Sequence, residues 1–173
     1  MSKSKIYSTQ IYVRPAVARW IASTFPEIDG RYDMRKDSLY GIIQNGLYRK
    51  DIKMPNKYYK KILNYVPIRL IIHEWDFYNF GWQIPTFAQT RISQLLFDIM
   101  MDKFCNHIAF AYAYSKQPRD DTIKRIMVEY LFDEDEINHY YIQKYYQRKF
   151  QNTGKEQQII DFVKFTNFDL TQS

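Results

Sequence analysis

The stretch TFAQTRISQLLFDIMMDKFCNHIAFAYAY, residues 86–114, decides the fold class. Its apolar residues Ile92, Leu95, Leu96, Ile99 and Met100 recur at spacings of three and four. That period predicts one long helix from Thr86 to about Tyr114, with one face turned to a core. Asp98, Asp102, Lys103 and His107 interrupt the apolar run, so the segment does not read as a membrane span. Gln117-Pro118 ends it, because proline lacks the N–H a helix needs and crowds the preceding turn.

Downstream, the period repeats. In DDTIKRIMVEYLF, residues 120–132, the residues Ile123, Ile126, Met127, Tyr130 and Leu131 form one stripe, capped by Asp120 or Asp121. DEDEINHYYIQKYYQRKF, residues 133–150, opens with Asp133 at the N-cap position and Glu136 three residues later, an analogue of a capping box. The final segment, 154–173, reads as a short helix or an arm over the body.

Upstream, IYSTQIYV, residues 6–13, alternates as a short strand, with Ile11 and Val13 on one side and Gln10, Tyr12 and Arg14 on the other. Pro15 then opens a helix whose inner face is Val17, Trp20, Ile21 and Thr24, and Pro26 stops it. Residues 26–37 read as a loop with a turn at Asp29-Gly30. Asp37 or Ser38 caps a helix carrying Leu39, Ile42, Ile43 and Leu47; Gly41 and Gly46 weaken it or permit close packing. A further short helix follows Pro55. PIRLIIHEW, residues 67–75, is a second strand, and WDFYNFGWQIP, residues 75–85, an aromatic loop. The expected architecture is mainly α: a compact helical domain with one or two short β-strands near residues 6–13 and 68–73. A soft boundary near residue 66 separates a basic N-terminal subdomain, 1–66, from a helical body and C-terminal arm, 67–173.

The chain has 173 residues, enough for one domain with a real core. Its 16 Tyr and 12 Phe suit both a core margin and an interface. Ile, Asn, Lys and Tyr are frequent, as an AT-rich genome would favour. Cys105 is the single cysteine, so a reducing compartment is the simplest reading. MSKSKIYSTQ at the N-terminus has no apolar core of a secretory signal, and a cytoplasmic location is expected, or an intracellular or virion one if the source is viral. The net charge of +6 is uneven. Residues 1–66 hold 13 Lys and Arg against 5 Asp and Glu, whereas residues 67–173 hold 12 against 14. Such asymmetry points to an acidic partner.

The basic excess culminates in LYRKDIKMPNKYYKKILNY, residues 47–65. There Arg49, Lys50, Lys53, Lys57, Lys60 and Lys61 meet only Asp51, with Tyr48, Tyr58 and Tyr59 among them. Clustered cations neutralise phosphates and release counterions, and tyrosines stack on unpaired bases. Arg14, Arg31, Arg35 and Lys36 are candidate extensions of that surface. The competing reading is a solvated helical face with its tyrosines in the core.

The helix pair 121–150 fits a helix-turn-helix only approximately, with a short turn lacking glycine. His139, Gln143 and Gln147 share one face beside Lys144, and Gln143 and Lys144 are candidates for base readout. The acidic run 133–136 opposes this, since phosphate would repel it at the start of a recognition helix. The order strand, helix, helix over residues 6–50 resembles a ribbon-helix-helix unit, which implies two strands from a dimer in the major groove. That resemblance rests on order without a motif, and the long 26–36 loop and Pro15 depart from it.

Enzymatic constellations are weak. His73, Glu74 and Asp76 would not converge if HEWD continues a strand. Cys105 and His107 face different directions on a helix, and Cys105 reads as a core thiol. No metalloprotease, nucleophile-elbow, paired-cysteine or phosphate-loop motif occurs. No catalytic residue, metal or cofactor is therefore expected. The aromatic residues Trp75, Phe77, Tyr78 and Trp82 either plug the core, the preferred reading, or anchor a partner. The sequence thus leads to a non-enzymatic nucleic-acid-binding protein, DNA favoured over RNA, of the kind a phage or mobile element uses as a regulator or accessory factor. The rival is a structural or assembly protein, homo-oligomeric or bound to a protein partner. No membrane association is expected.

Overall fold

The computed structural model describes residues 5–48 and 64–170, with side chains to residue 166. The chain divides into two compact units, Met1–Phe97 and Asp98–Ser173. The fold is mainly helical with a small sheet, as the periodicity predicts.

The first unit runs β1 (Tyr7–Val13), α1 (Pro15–Thr24), β2 (Glu27–Ile28), β3 (Arg31–Tyr32), α2 (Tyr40–Leu47), β4 (Val66–Ile72), α3 (Glu74–Phe80) and the start of α4 (Thr86–Ser115). The sheet order is β1-β4-β3-β2. β1 and β4 pair antiparallel from Tyr7↔Ile72 to Val13↔Val66, and β3 joins β4 in parallel at Tyr32↔Leu70. Both expected strands form. β1 pairs along its full length within its own chain, whereas the ribbon-helix-helix arrangement pairs that strand with a second subunit.

Pro67 sits inside β4 at no hydrogen-bond cost to the β1 pairing. The Tyr12 N–H points away from β4, to Gln89 Oε1 at 3.2 Å. Tyr12 and Pro67 are opposite one another, so the missing Pro67 donor also faces away from β1. Residues 26–37, expected as a loop, instead contain the β2–β3 hairpin. Its turn is the anticipated Asp29-Gly30, with φ of 51° and 71°.

Alternation on β1 buries Thr9, Ile11 and Val13. From α1, Val17, Trp20 and Ile21 enter the core, but Thr24 is exposed, because it lies in the last turn just before the chain straightens at Phe25. α2 buries Ile43 and Leu47. Asp37 Oδ1 accepts the Leu39 N–H at 2.8 Å, ahead of the helix proper, which has no side-chain cap. The helix expected after Pro55 lies outside the described residues.

The second unit takes the remainder of α4, then α5 (Arg119–Glu129), α6 (His139–Tyr146), a π-helical turn (Gln147–Gln151) and α7 (Lys155–Leu170). The long helix ends as expected before Pro118, with Lys116 left-handed at φ 58°. Along α4, Ile92, Leu96, Met100, Phe104 and Ile108 are buried at four-residue spacing, whereas Leu95 is exposed. The α5 stripe is shorter than the sequence suggests. Ile123 and Ile126 are buried, but the helix ends at Glu129 and Leu131 is exposed at φ 51°. Asp120 and Asp121 occupy the first turn, where they complement the helix dipole without capping it.

The expected capping box also fails. Asp133 closes a turn of its own, its Oδ1 accepting the Asp135 N–H at 3.1 Å. The cap of α6 is Asn138, whose Oδ1 accepts the Tyr141 N–H at 2.8 Å. The acids 133–136 therefore precede the helix, and residues 130–138 separate α5 from α6, too many for a helix-turn-helix turn. The final segment is a helix, α7, rather than an extended arm.

Candidate functional site

The expected aromatic loop is largely a helix. Glu74 and Asp76 in the first turn of α3 meet the positive end of its dipole, and Gly81, at φ 77°, ends it. The core-plug reading is overturned for three of the rings. Trp75, Tyr78 and Trp82 are 60%, 67% and 52% exposed, while Phe77 and Phe80 are half-buried. Asp76, the polar member, faces inward and is fully buried.

Rings from other elements adjoin this helix. Tyr7 lies 4.5 Å from Phe77 and 5.5 Å from Tyr78, measured between centroids. Its hydroxyl lies 2.8 Å from that of Tyr78 and donates to Glu74 Oε1 at 3.1 Å. The Tyr78 hydrogen bond, burial and Glu74 together raise the Tyr7 phenol above its ordinary range. Tyr48 packs on Phe80 at 4.0 Å, and Trp75 meets the same ring edge-on at 5.4 Å. Beneath the patch, the Asp76 carboxylate accepts from Tyr40 at 2.6 Å and from Gln44 at 3.0 Å. The Tyr40 oxygen in turn accepts the His73 N–H at 2.9 Å. Burial, then Asp76, raises the Tyr40 phenol.

Arg49, Lys50, Lys53, Lys57, Lys60 and Lys61 lie outside the described residues. The proposed extensions divide. Arg14 donates to Gln94 at 2.8 Å and lies over the Phe97 ring at 4.3 Å. Arg35 forms a two-point pair with Asp33 at 2.9 and 2.8 Å, which lowers the Asp33 pKa and raises that of Arg35. The charge of Arg35 is thus met by its own neighbour. Arg31 is half-buried, and its Nε lacks a hydrogen-bond partner. Lys36 is exposed. Arg69, which the sequence reading did not single out, is exposed on β4 directly opposite Gln10.

In the second unit Gln143 is exposed and Lys144 half-buried, its Nζ 5.4 Å from the centre of the Tyr140 ring. Both border a groove of about 460 Å³ with Arg119 and Asp120. Arg119 Nε donates to Glu156 Oε1 at 2.5 Å, Tyr146 donates to the same oxygen at 2.6 Å, and the guanidinium lies 3.7 Å from the Tyr112 centroid.

Glu74 and Asp76 turn out to be helical, but they still diverge, one to Tyr7 and the other to the core. His73 packs edge-on to Tyr40. Cys105 is a buried thiol, pushed up to about 12 by burial and then by Asp102. His107 is paired with Arg125 at 2.9 Å. Among the described residues no cluster of His, Cys, Asp or Glu is arranged to hold a metal, and no helix is long and apolar enough to cross a membrane. No protein-family model, curated protein or solved structure matches this chain.

Proposed function

We propose that this chain is a non-enzymatic nucleic-acid-binding protein that engages unpaired strands, with DNA its first candidate. One observation carries the reading. The exposed rings Trp75 and Tyr78 belong to a patch that includes Tyr48, the residue after which the basic segment Arg49–Lys61 begins. Stacking surfaces beside a cationic run are what single-strand binders combine, each stacked base contributing about 1–3 kcal/mol and the cations a salt-sensitive remainder. Lys36 and Arg69 supply further exposed cations. Gln143 and Lys144 are weaker candidates in this reading, because Asp120 shares their groove.

The same exposed rings favour a second reading, an assembly protein, since Trp and Tyr are frequent anchors of protein interfaces. Anisotropy of labelled single-stranded and duplex oligonucleotides at low salt separates the two. The nucleic-acid reading expects tighter binding to the single strand, weakened about 30-fold or more by Trp75→Ala with Tyr78→Ala, the loss of two stacks. No binding to either, together with a stable oligomer by light scattering, supports the assembly protein instead.

A further inference from the structure

We infer that a groove between β1 and the segment following α3 receives one unpaired base of a single-stranded nucleic acid. The inference rests on the nucleic-acid reading above and adds a built pocket to it. The groove is open to solvent and has a volume of about 970 Å³, at the upper end of the ~300–1,000 Å³ typical of ligand clefts. Among the described residues its lining includes Gln10, Tyr12, Trp82, Gln83, Thr86 and Gln89, and none of the described lining residues is a carboxylate. A phosphate strand passing over it meets no lining charge of its own sign.

The walls are held before any ligand arrives. Gln89 accepts the Tyr12 N–H at 3.2 Å and donates to the Ile84 carbonyl at 2.7 Å, tying the β1 edge to the opposite wall. Thr9, itself buried, donates to the Trp82 carbonyl at 2.6 Å. Ile84 is buried, and Gly81 makes the left-handed turn that leads into this wall. The backbone of Trp82 is therefore pinned while its indole is half exposed. Such preorganisation lowers the ordering cost of binding.

The polar groups match a base edge. Gln10 donates to the Tyr12 hydroxyl at 3.0 Å, which leaves its carbonyl and second N–H for a ligand. The Gln83 side chain is exposed at the same groove. Carboxamides offer the paired donor and acceptor that splayed-out bases present, and the indole and phenol rings offer stacking faces. Arg69 stands opposite Gln10 in the β1–β4 register, so the two side chains share a sheet face and a cation lies close to the groove.

A short labelled oligothymidylate and an abasic strand of equal length and charge test this by anisotropy. The inference expects the abasic strand to bind more weakly. It also expects Trp82→Ala to weaken the oligothymidylate about tenfold, the size of one lost stack, and to leave the abasic strand unchanged. Trp82→Phe should restore most of the affinity, and exposed Gln83→Ala, which leaves the fold intact, should alter the preference between thymidylate and adenylate strands. Equal losses for the two strands in Trp82→Ala would overturn the base pocket and leave the nucleic-acid reading standing, whereas equal binding of the two strands to the parent would overturn the pocket and the stacking part of that reading together. Binding of neither strand would remove that reading and the pocket with it.

Discussion

The Tyr40 hydroxyl donates to the Asp76 carboxylate at 2.6 Å, which places a hydrogen-bonded acid at the base of the exposed aromatic helix. Asp76 is fully buried, so its solvation comes from Tyr40 and Gln44, with Tyr48 as a further hydrogen-bonding neighbour, rather than from water. Removing one donor leaves a buried acceptor short of partners, at a cost of about 1–3 kcal/mol. Tyr40→Phe should lower the stability of the first unit by that amount in urea unfolding. It also deprives the His73 N–H of its acceptor. A neutral result would mean that Asp76 has other solvation.

Two glycines in α2 should respond to alanine with opposite signs. A Cβ at Gly41 meets open space, so Gly41→Ala gains helix propensity, up to about 1 kcal/mol. At Gly46 the added carbon would lie 2.6 Å from Ile92 Cδ1 and 3.3 Å from Ile84 Cγ2. Ile92 Cδ1 is the end of a flexible side chain that borders a groove of about 210 Å³, but Ile84 Cγ2 sits on the branched carbon of a buried side chain and cannot turn aside as freely. Overpacking of about 1–3 kcal/mol then outweighs the propensity gain, and thermal melts should show Gly46→Ala destabilised.

The Glu156–Arg119 pair sets a pH dependence in the second unit. Burial pushes the Glu156 carboxyl up, but the Arg119 and Tyr146 hydrogen bonds outweigh it and leave its pKa below the ordinary value. A depressed folded-state pKa stabilises the fold above the unfolded-state value, and that stabilisation is lost as pH falls through the folded one. Glu156→Gln should therefore cost about 1–3 kcal/mol at neutral pH, less than a fully buried pair because Arg119 is partly exposed. The gap between variant and parent should close below the ordinary glutamate pKa of about 4.3. A gap that persists undiminished in acid would assign the loss to packing.

Much of the architecture was legible because periodicity survives where apolar and polar residues contrast. The 86–114 segment carries its stripe through Ile92, Leu96 and Met100, and α4 follows it. α3 offers no such contrast. Its rings occupy exposed and half-buried positions alike, and its one fully buried side chain is an aspartate. The β2–β3 hairpin has arms too short to alternate, so only its turn could be read. Asp133 misled because it does close a turn, but five residues before the true cap at Asn138. At the candidate site, clustering of arginines said nothing about their neighbours. Arg35 lies two residues from Asp33, and that pairing withdraws it from the basic surface.

The central claim is that the basic segment and the aromatic patch act together on phosphate-linked bases. Its most direct measurement is the slope of log affinity against log salt for a labelled single-stranded oligonucleotide. The parent and the double variant Lys57→Glu with Lys61→Glu should be compared in the same titration. Each phosphate contact contributes about 0.7 to that slope on a single strand. The account predicts a steep fall of affinity with salt in the parent and a slope shallower by about 1.4 in the variant. Salt-independent binding, or identical slopes in the two proteins, would contradict it.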